Sequence, residues 1–132
     1  MQLPGNKLIY LAPAREDILD IARYHLEKVG VNSARRITGE IERKICRLTD
    51  YPLMGQSHPD PVLAESGYRK LVVTSTYVCI YKTFDDSVFI YRIVNGKTDY
   101  PKLLKYTGLL NRRSQIIPTA RSFSQERSVC HP

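Results

Sequence analysis

The sequence predicts an α+β domain in which an antiparallel sheet carries an N-terminal helix hairpin on one face, with the element order β-α-α-β-β-β. Three observations support this. A short β-prone run is followed by two segments with apolar residues at helical spacing, then by a loop rich in proline and glycine, and then by three β-rich segments separated by short turns. With 132 residues, 42% of them hydrophobic, the chain has the size and composition of one domain.

The N-terminal part predicts one short strand and two amphipathic helices. The run KLIYLAP ends at Pro13, which suits the first turn of a helix, and a second helix follows the short break at Gly30, with Asn32 or Ser33 as its cap. A link this short predicts an antiparallel helix pair. The apolar stripes are Ile18, Ala22, His25, Leu26 and Val29 in the first helix, and Ala34, Ile37, Ile41, Ile45 and Leu48 in the second.

The segment from Tyr68 to Gly96 predicts a three-stranded meander. We expect strands over residues 68–74, 77–84 and 87–94, joined by two-residue turns at Ser75-Thr76 and Asp85-Asp86. These turns place one set of residues on a single face, and the opposite face is also largely apolar. The shared-face set is Leu71, Val73, Val78, Ile80, Phe89, Tyr91 and Ile93.

A helix hairpin covers only one face of such a sheet. Each large apolar side chain left exposed forfeits roughly 1.5 to 3 kcal/mol of burial, so the second face needs another cover. An exposed apolar patch rimmed by arginine, lysine and tyrosine is typical of a protein-binding surface. The alternatives are that the chain's own C-terminal segment folds back over it, or that a second copy of the chain does.

Composition narrows the class of protein. No run approaches the roughly 18 apolar residues of a membrane span, and the N-terminus lacks a signal-sequence pattern, so we expect a cytoplasmic protein without membrane contact. Cys46, Cys79 and Cys130 are odd in number and widely spaced, which predicts no disulfide framework. No pair of His or Cys residues has the spacing of metal ligands, and we expect neither metal nor cofactor.

The net charge of +7 is unevenly distributed. Residues 105–132 contain five basic residues and one acid, lose helical and strand periodicity, and therefore form a basic extension that we expect to be mobile or partner-dependent. Residues 1–104 form the folded domain and are only mildly basic. A cationic chain of this kind favours polyanions or an acidic protein partner.

The predicted element order is accompanied by three segments: YRKL, then after a short turn YVCIYKTFDDSVFIYRIVNG, and then DYPKLL. Together these features resemble the RelE/ParE superfamily of bacterial toxins from type II toxin-antitoxin systems. The resemblance covers about residues 7–104. It implies a compact toxin domain that a cognate antitoxin wraps, either as a simple pair or as a heterotetramer, with a homodimer as a further possibility.

The RelE-like branch implies a ribosome-dependent endoribonuclease that cuts messenger RNA. The residues that match its basic and aromatic positions are Arg69, Lys97 and Tyr100. Two expected cations are missing, because Val78 follows the tyrosine of the middle strand and Thr98 follows Gly96-Lys97. Cations at a phosphoryl-transfer site stabilise the charge of the transition state, so this reading is weakened.

The ParE-like branch implies a toxin that inhibits DNA gyrase by protein contact and needs no catalytic set. The segment GKTD after the last strand and the long helix hairpin resemble this branch, which we prefer. A degenerate, non-toxic binding module is a third reading. The residues that we expect to bind a partner protein are Arg69, Leu71, Val73, Val78, Ile80 and Tyr91.

Overall fold

The computed structural model describes residues 6–106 and confirms the α+β fold with the helix hairpin ahead of the sheet. The strands are β1 (Lys7–Tyr10), β2 (Gln56–Ser57), β3 (Arg69–Val72), β4 (Tyr77–Phe84) and β5 (Ser87–Asn95). The helices are α1 (Ala12–Lys28), α2 (Val31–Cys46), α3 (Pro61–Glu65) and α4 (Tyr100–Tyr106), and a 3-10 turn covers Arg47–Thr49.

A glycine, Gly30, forms the turn between the two helices of the hairpin. Helix α1 has Pro13 in its first turn, as predicted, and α2 begins at Val31 directly after Gly30. Gly30 has φ of 136°, a conformation that side chains disfavour, and it occupies the N-cap position in place of Asn32 or Ser33. The predicted cap was therefore wrong, because the helix begins two or three residues earlier than a cap at Asn32 or Ser33 would require.

Residues 52–67 were predicted as a loop and contain two short elements. Strand β2 pairs with β3, and α3 follows it, capped by the Asp60 carboxylate, which accepts hydrogen bonds from the N–H groups of Val62 (2.9 Å) and Leu63 (3.2 Å). Pro61 occupies the first turn of α3, where its missing N–H costs nothing.

The sheet has the order β1-β5-β4-β3-β2 and is mixed, not antiparallel throughout as predicted. Strand β2 carries the chain back antiparallel to β3, and β3, β4 and β5 form the predicted meander. Strand β5 consequently runs in the same direction as β1, and the two pair in parallel, with Leu8 opposite Val88 and Tyr10 opposite Ile90.

The register of β3 differs from the prediction by one residue. The Val73 N–H donates to the Tyr77 carbonyl (3.1 Å), so the connection between β3 and β4 has three residues instead of two. Leu71 therefore lies opposite Cys79, where a two-residue turn would have placed Ile80. A one-residue slip moves every side chain of a strand to the other face. Leu71 and Val73 consequently do not share a face with Val78 and Ile80.

A β-bulge likewise moves residues of β5 to the other face of the sheet. The register shifts between Ile80 and Tyr81 of β4, which lie opposite Arg92 and Ile90, so that Tyr91 is the extra residue. As a result Ile93 packs with the helices, whereas Phe89 and Tyr91 pack on the other face. The predicted shared face of seven residues is thus divided between the two sides of the sheet.

Both faces of the sheet are covered within the described part of the chain. The helix face packs Leu71, Val73, Tyr77, Cys79, Tyr81, Val88, Ile90 and Ile93 against Ala14, Ile21, Ile41, Ile45 and Leu48. On the second face, Val78, Ile80, Phe89 and Tyr91 pack against Leu63, Tyr68, Tyr100 and Leu104. The expected exposed apolar face of the sheet is therefore absent from residues 6–106, because Leu63 of α3, Tyr68, and Tyr100 and Leu104 of α4 cover it. The alternative in which the basic C-terminal extension folds back over this face concerns residues outside those described.

The two cysteines among the described residues differ in their bonding. Cys79 is a free, buried thiol, whereas Cys46 takes part in a disulfide, which spacing along the chain did not indicate. Within residues 6–106, no helix has both the length and the apolar character needed to cross a bilayer. The basic extension from residue 107 onward lies outside the described residues.

Candidate functional site

Arg69 lies on the helix face of the sheet and braces a loop. It is paired with Tyr81 across β3 and β4, and directly opposed residues point to the same face. One guanidinium nitrogen of Arg69 donates to the carbonyls of Gly55 (2.7 Å) and Leu53 (3.4 Å), while its Nε has no hydrogen-bond partner among the described residues. The predicted nuclease and partner-binding cation is thus engaged with the backbone of residues 53 and 55.

Tyr81 holds the same loop from the core. Its hydroxyl donates to the Pro52 carbonyl (2.9 Å) and accepts from the Gly55 N–H (3.0 Å). The approach is so close that a Cβ atom on Gly55 would lie 2.5 Å from the Lys70 carbonyl oxygen and 2.8 Å from the Tyr81 hydroxyl. Residues 51–55, which we name the anchored loop, therefore need glycine at position 55.

The anchored loop exposes apolar side chains while its backbone is bound. The Tyr51 N–H donates to the Arg47 carbonyl (2.9 Å) and the Met54 N–H to the Tyr51 carbonyl (3.0 Å). The exposed fractions are 65% for Tyr51, 64% for Leu53 and 36% for Met54. The stretch was predicted only as a loop, although three large apolar residues within four positions of a loop are a visible signal in the sequence.

A cationic groove lies next to this loop. It has a volume of about 410 Å³ and is lined by Glu40, Arg43, Lys44, Arg47 and Val73. Arg47 belongs both to the groove and to the base of the anchored loop, since its carbonyl accepts the Tyr51 N–H. The groove and the anchored loop therefore adjoin at Arg47, directly after the C-terminal end of α2.

Tyr100 lies on the second face and binds His58. The Asp60 N–H donates to His58 Nδ1 (2.9 Å), so Nε2 carries the ring proton and donates to the Tyr100 hydroxyl (2.8 Å). Both side chains are buried, with 3% of His58 and 5% of Tyr100 exposed. Burial, and secondarily the charge of Asp60, raises the pKa of Tyr100. This pair fastens α4 to the segment that precedes α3.

The three candidate nuclease residues are not brought together. Arg69 lies on the helix face and Tyr100 packs in the cluster on the opposite face, so the sheet stands between them. Lys97 is exposed beyond the end of β5, where Asn95 is opposite Tyr77. Since Tyr77 and Tyr81 are four residues apart on one strand, Arg69 and Lys97 are separated by about 13 Å along the strands and by two strand spacings across them.

The predicted partner-binding residues are also divided. Leu71 and Val73 are buried against the helices, whereas Val78, Ile80 and Tyr91 are buried on the second face. A partner could reach the latter three only after displacing Leu63, Tyr100 or Leu104. Their role in partner binding stays a prediction.

Sequence reasoning missed Lys82, a buried cation. It is 5% exposed, and its Nζ lies 4.3 Å from the ring centroid of Tyr68 and 5.5 Å from that of Tyr91. Burial lowers the pKa of Lys82. A lysine in the middle of a β-branched and aromatic strand was the available signal. The aromatic rings replace part of the lost hydration by cation–π attraction.

Comparison with known proteins gives one family and one fold. Residues 8–100 match the family described as ParE toxin of type II toxin-antitoxin system, parDE. No curated protein matches the sequence. The structure is similar to a solved structure titled "Chromosomal ParDE TA system from P. aeruginosa", with a TM-score of 0.59 and 17% identity over 69% of this chain and 96% of that chain. At this identity the structural similarity shows the fold alone. Because the family match spans well over half of the sequence, the chain belongs to the ParE toxin family of type II toxin-antitoxin systems.

Proposed function

We propose that this toxin arrests growth by binding DNA gyrase through protein contact, without cutting RNA, and that a cognate antitoxin protein neutralises it. Membership of the ParE family supports a toxin and an antitoxin partner. The arrangement of the residues that a nuclease would need favours protein contact over RNA cleavage.

The separation of Arg69 from Tyr100 by the sheet carries this proposal. RNA cleavage requires cations against the phosphate and groups that move protons to and from the 2′-oxygen and the leaving oxygen, all within hydrogen-bond reach of one another. The Arg69 guanidinium is bound to two backbone carbonyls, and the Tyr100 hydroxyl is bound to His58 on the other face. Neither can approach a phosphate that the other holds without rearrangement of the core.

The charge of the chain is suited to an acidic protein partner. The chain carries a net charge of +7, and Arg43 and Lys44 of α2 lie in one groove with Arg47 of the 3-10 turn. Opposite charge accelerates and orients association between proteins. An antitoxin with an acidic segment fits this distribution, as does an acidic surface on the target enzyme.

The proposal is tested with the purified full-length chain in two assays. We expect it to inhibit supercoiling by purified gyrase and to leave ribosome-bound messenger RNA intact. Tyr100→Phe removes the hydroxyl that a nuclease would need, and Tyr24→Phe is the matched control on an exposed tyrosine of α1. We expect both variants to inhibit gyrase within about twofold of the unaltered chain.

Codon-phased cuts in messenger RNA that disappear with Tyr100→Phe, without gyrase inhibition, would establish the nuclease reading instead. Absence of both activities, with no growth arrest on induction, would favour the degenerate binding module. Neutralisation is checked separately, by co-expression with the product of the adjacent reading frame, which we expect to restore growth.

A further inference from the structure

The anchored loop combines exposure of apolar side chains with a bound backbone. Six hydrogen bonds reach its five residues from Arg47, Arg69, Tyr81 and from within the loop. A surface loop without a role in binding normally carries polar side chains and a mobile backbone. Here the bonds fix the loop while leaving Tyr51 and Leu53 about two-thirds exposed.

Fixing the backbone in advance favours binding. Association orders the interface on both sides, and a loop that is already ordered loses less conformational entropy when it meets its partner. The side chains on this loop are of the types that concentrate at interface centres, namely tyrosine and methionine, with arginine beside them. Leu53 adds an aliphatic side chain that only an apolar pocket would bury.

The surroundings of the loop specify the charge of the partner. The groove that shares Arg47 with the loop contains three cations and one acid, Glu40. A partner that seats the loop would therefore bring acidic side chains against Arg43, Lys44 and Arg47. Leu53 and Met54 favour a protein over a nucleic acid as the partner, because neither side chain has an aromatic face on which a base could stack, and Tyr51 is the one aromatic residue of the loop.

We propose that the anchored loop, together with the adjoining cationic groove, is the surface through which this toxin contacts gyrase. Leu53 and Met54 enter an apolar pocket of the enzyme, and Arg43, Lys44 and Arg47 meet acidic side chains around it. This inference rests on the function proposed above and adds the contacting residues. Arg69 and Tyr81 are positioning residues, since they hold the loop from behind.

The test uses the full chain and purified gyrase. Leu53→Ser and Met54→Ser alter side chains that are 64% and 36% exposed, and they keep the hydrogen bonds of both residues, which are made by the backbone. We expect the double variant to need at least about tenfold more protein for half-maximal inhibition, a loss of about 1.4 kcal/mol or more. The matched controls are Leu19→Ser on α1 and Val62→Ser on α3, exposed to 59% and 47%, which we expect to inhibit within about twofold of the unaltered chain.

The contribution of the groove to binding is tested by removing its positive charges. Arg43→Gln combined with Lys44→Gln removes two cations from the groove, whereas Arg35→Gln combined with Arg36→Gln removes two exposed cations elsewhere on α2. We expect the first pair to slow association with gyrase at low ionic strength by more than about threefold, and the second pair to change it less. Far-ultraviolet circular dichroism and urea unfolding confirm that each variant is folded.

The outcomes separate the two proposals. Gyrase inhibition by the unaltered chain that the double loop variant retains in full would overturn this inference and leave the proposed function standing. Absence of inhibition by the unaltered chain would overturn both. Binding to RNA or DNA that the double loop variant loses would overturn the choice of a protein partner for this surface.

Discussion

Arg92 of β5 and Asp17 of α1 form a two-pronged ion pair. Arg92 Nε lies 2.7 Å from Asp17 Oδ2, and a terminal guanidinium nitrogen lies 3.0 Å from Oδ1. The same Oδ2 accepts the Ile93 N–H at 2.9 Å. Strand β1 pairs with β5 only as far as Ile90, so the carboxylate of α1 serves as the partner that a longer strand would have supplied. One side chain thus joins the helix hairpin to the part of β5 that extends beyond β1.

Asp17→Ala should destabilise the fold by about 2 to 4 kcal/mol. The change leaves a partly buried guanidinium and a backbone N–H without their acceptor, and 26% and 13% of the Arg92 and Asp17 side chains are exposed. Asp20→Ala on the same helix is the control, because its ion pair with Arg23 is exposed and should contribute less than about 1 kcal/mol. Urea unfolding measures both. Equal losses in the two variants would contradict the assigned role of Asp17.

Gly55→Ala should destabilise the chain by about 1 to 3 kcal/mol. The new methyl group would overlap the Lys70 carbonyl oxygen and the Tyr81 hydroxyl, neither of which is the free end of a flexible chain. Gly39→Ala provides the opposite control: its Cβ would meet the movable guanidinium of Arg43 at 3.0 Å, and alanine favours a helix interior by up to about 1 kcal/mol. Thermal unfolding should show the two glycines shifting Tm in opposite directions.

Tyr91→Phe should leave stability at neutral pH unchanged or raise it by about 1 kcal/mol. The Tyr91 hydroxyl is buried and has no hydrogen-bond partner among the described residues, so phenylalanine removes a desolvated polar group at little cost in packing. Tyr100→Phe should instead cost about 1 kcal/mol, since it breaks the bond to His58. A stability loss in Tyr91→Phe as large as that in Tyr100→Phe would show that the hydroxyl of Tyr91 is bound in solution.

Stability should fall as pH rises above about 10. Burial raises the pKa of Tyr91 to about 12 and raises the pKa of Tyr10, Tyr68, Tyr77 and Tyr100 as well. A raised pKa means that the folded chain retains protons that the unfolded chain releases from about pH 10.0, so their contribution is complete below that pH and is lost above it. Each tyrosine adds a slope of up to about 1.4 kcal/mol per pH unit.

The effect of Lys82 on the pH dependence of stability has the opposite sign and lies at lower pH. Its lowered pKa means that the folded chain releases a proton before the unfolded chain does, so this contribution rises with pH up to the ordinary lysine value of 10.5 and then stops. Urea unfolding from pH 8 to pH 11 should therefore show the decline setting in near pH 10. Tyr91→Phe should make the decline less steep, and an unchanged slope would contradict the burial of its hydroxyl.

The elements of this fold were readable from local patterns. Apolar residues at three- and four-residue spacing predicted both helices, Pro13 predicted the start of α1, and alternating β-branched and aromatic residues predicted β4 with its observed limits. The resemblance to the toxin superfamily was carried by the same segments, since the family match covers residues 8–100. Asp60-Pro61 was also a readable helix start, although it was passed over.

Contacts between distant parts of the chain decided which side of the sheet each strand residue faces and which residues cover each side. One additional residue in the turn before Tyr77 and one bulge at Tyr91 exchanged the faces of β3 and of the end of β5, and neither has a signature in composition. The cover of the second face comes from Leu63, Tyr68, Tyr100 and Leu104, which lie up to 41 positions apart in the sequence. The anchored loop likewise depends on Arg69 and Tyr81, whose bonds to residues 52–55 span 14 to 29 positions. Periodicity reports which residues avoid water, but only the packed chain determines which of them meet, because turn geometry and long-range hydrogen bonds select the partner.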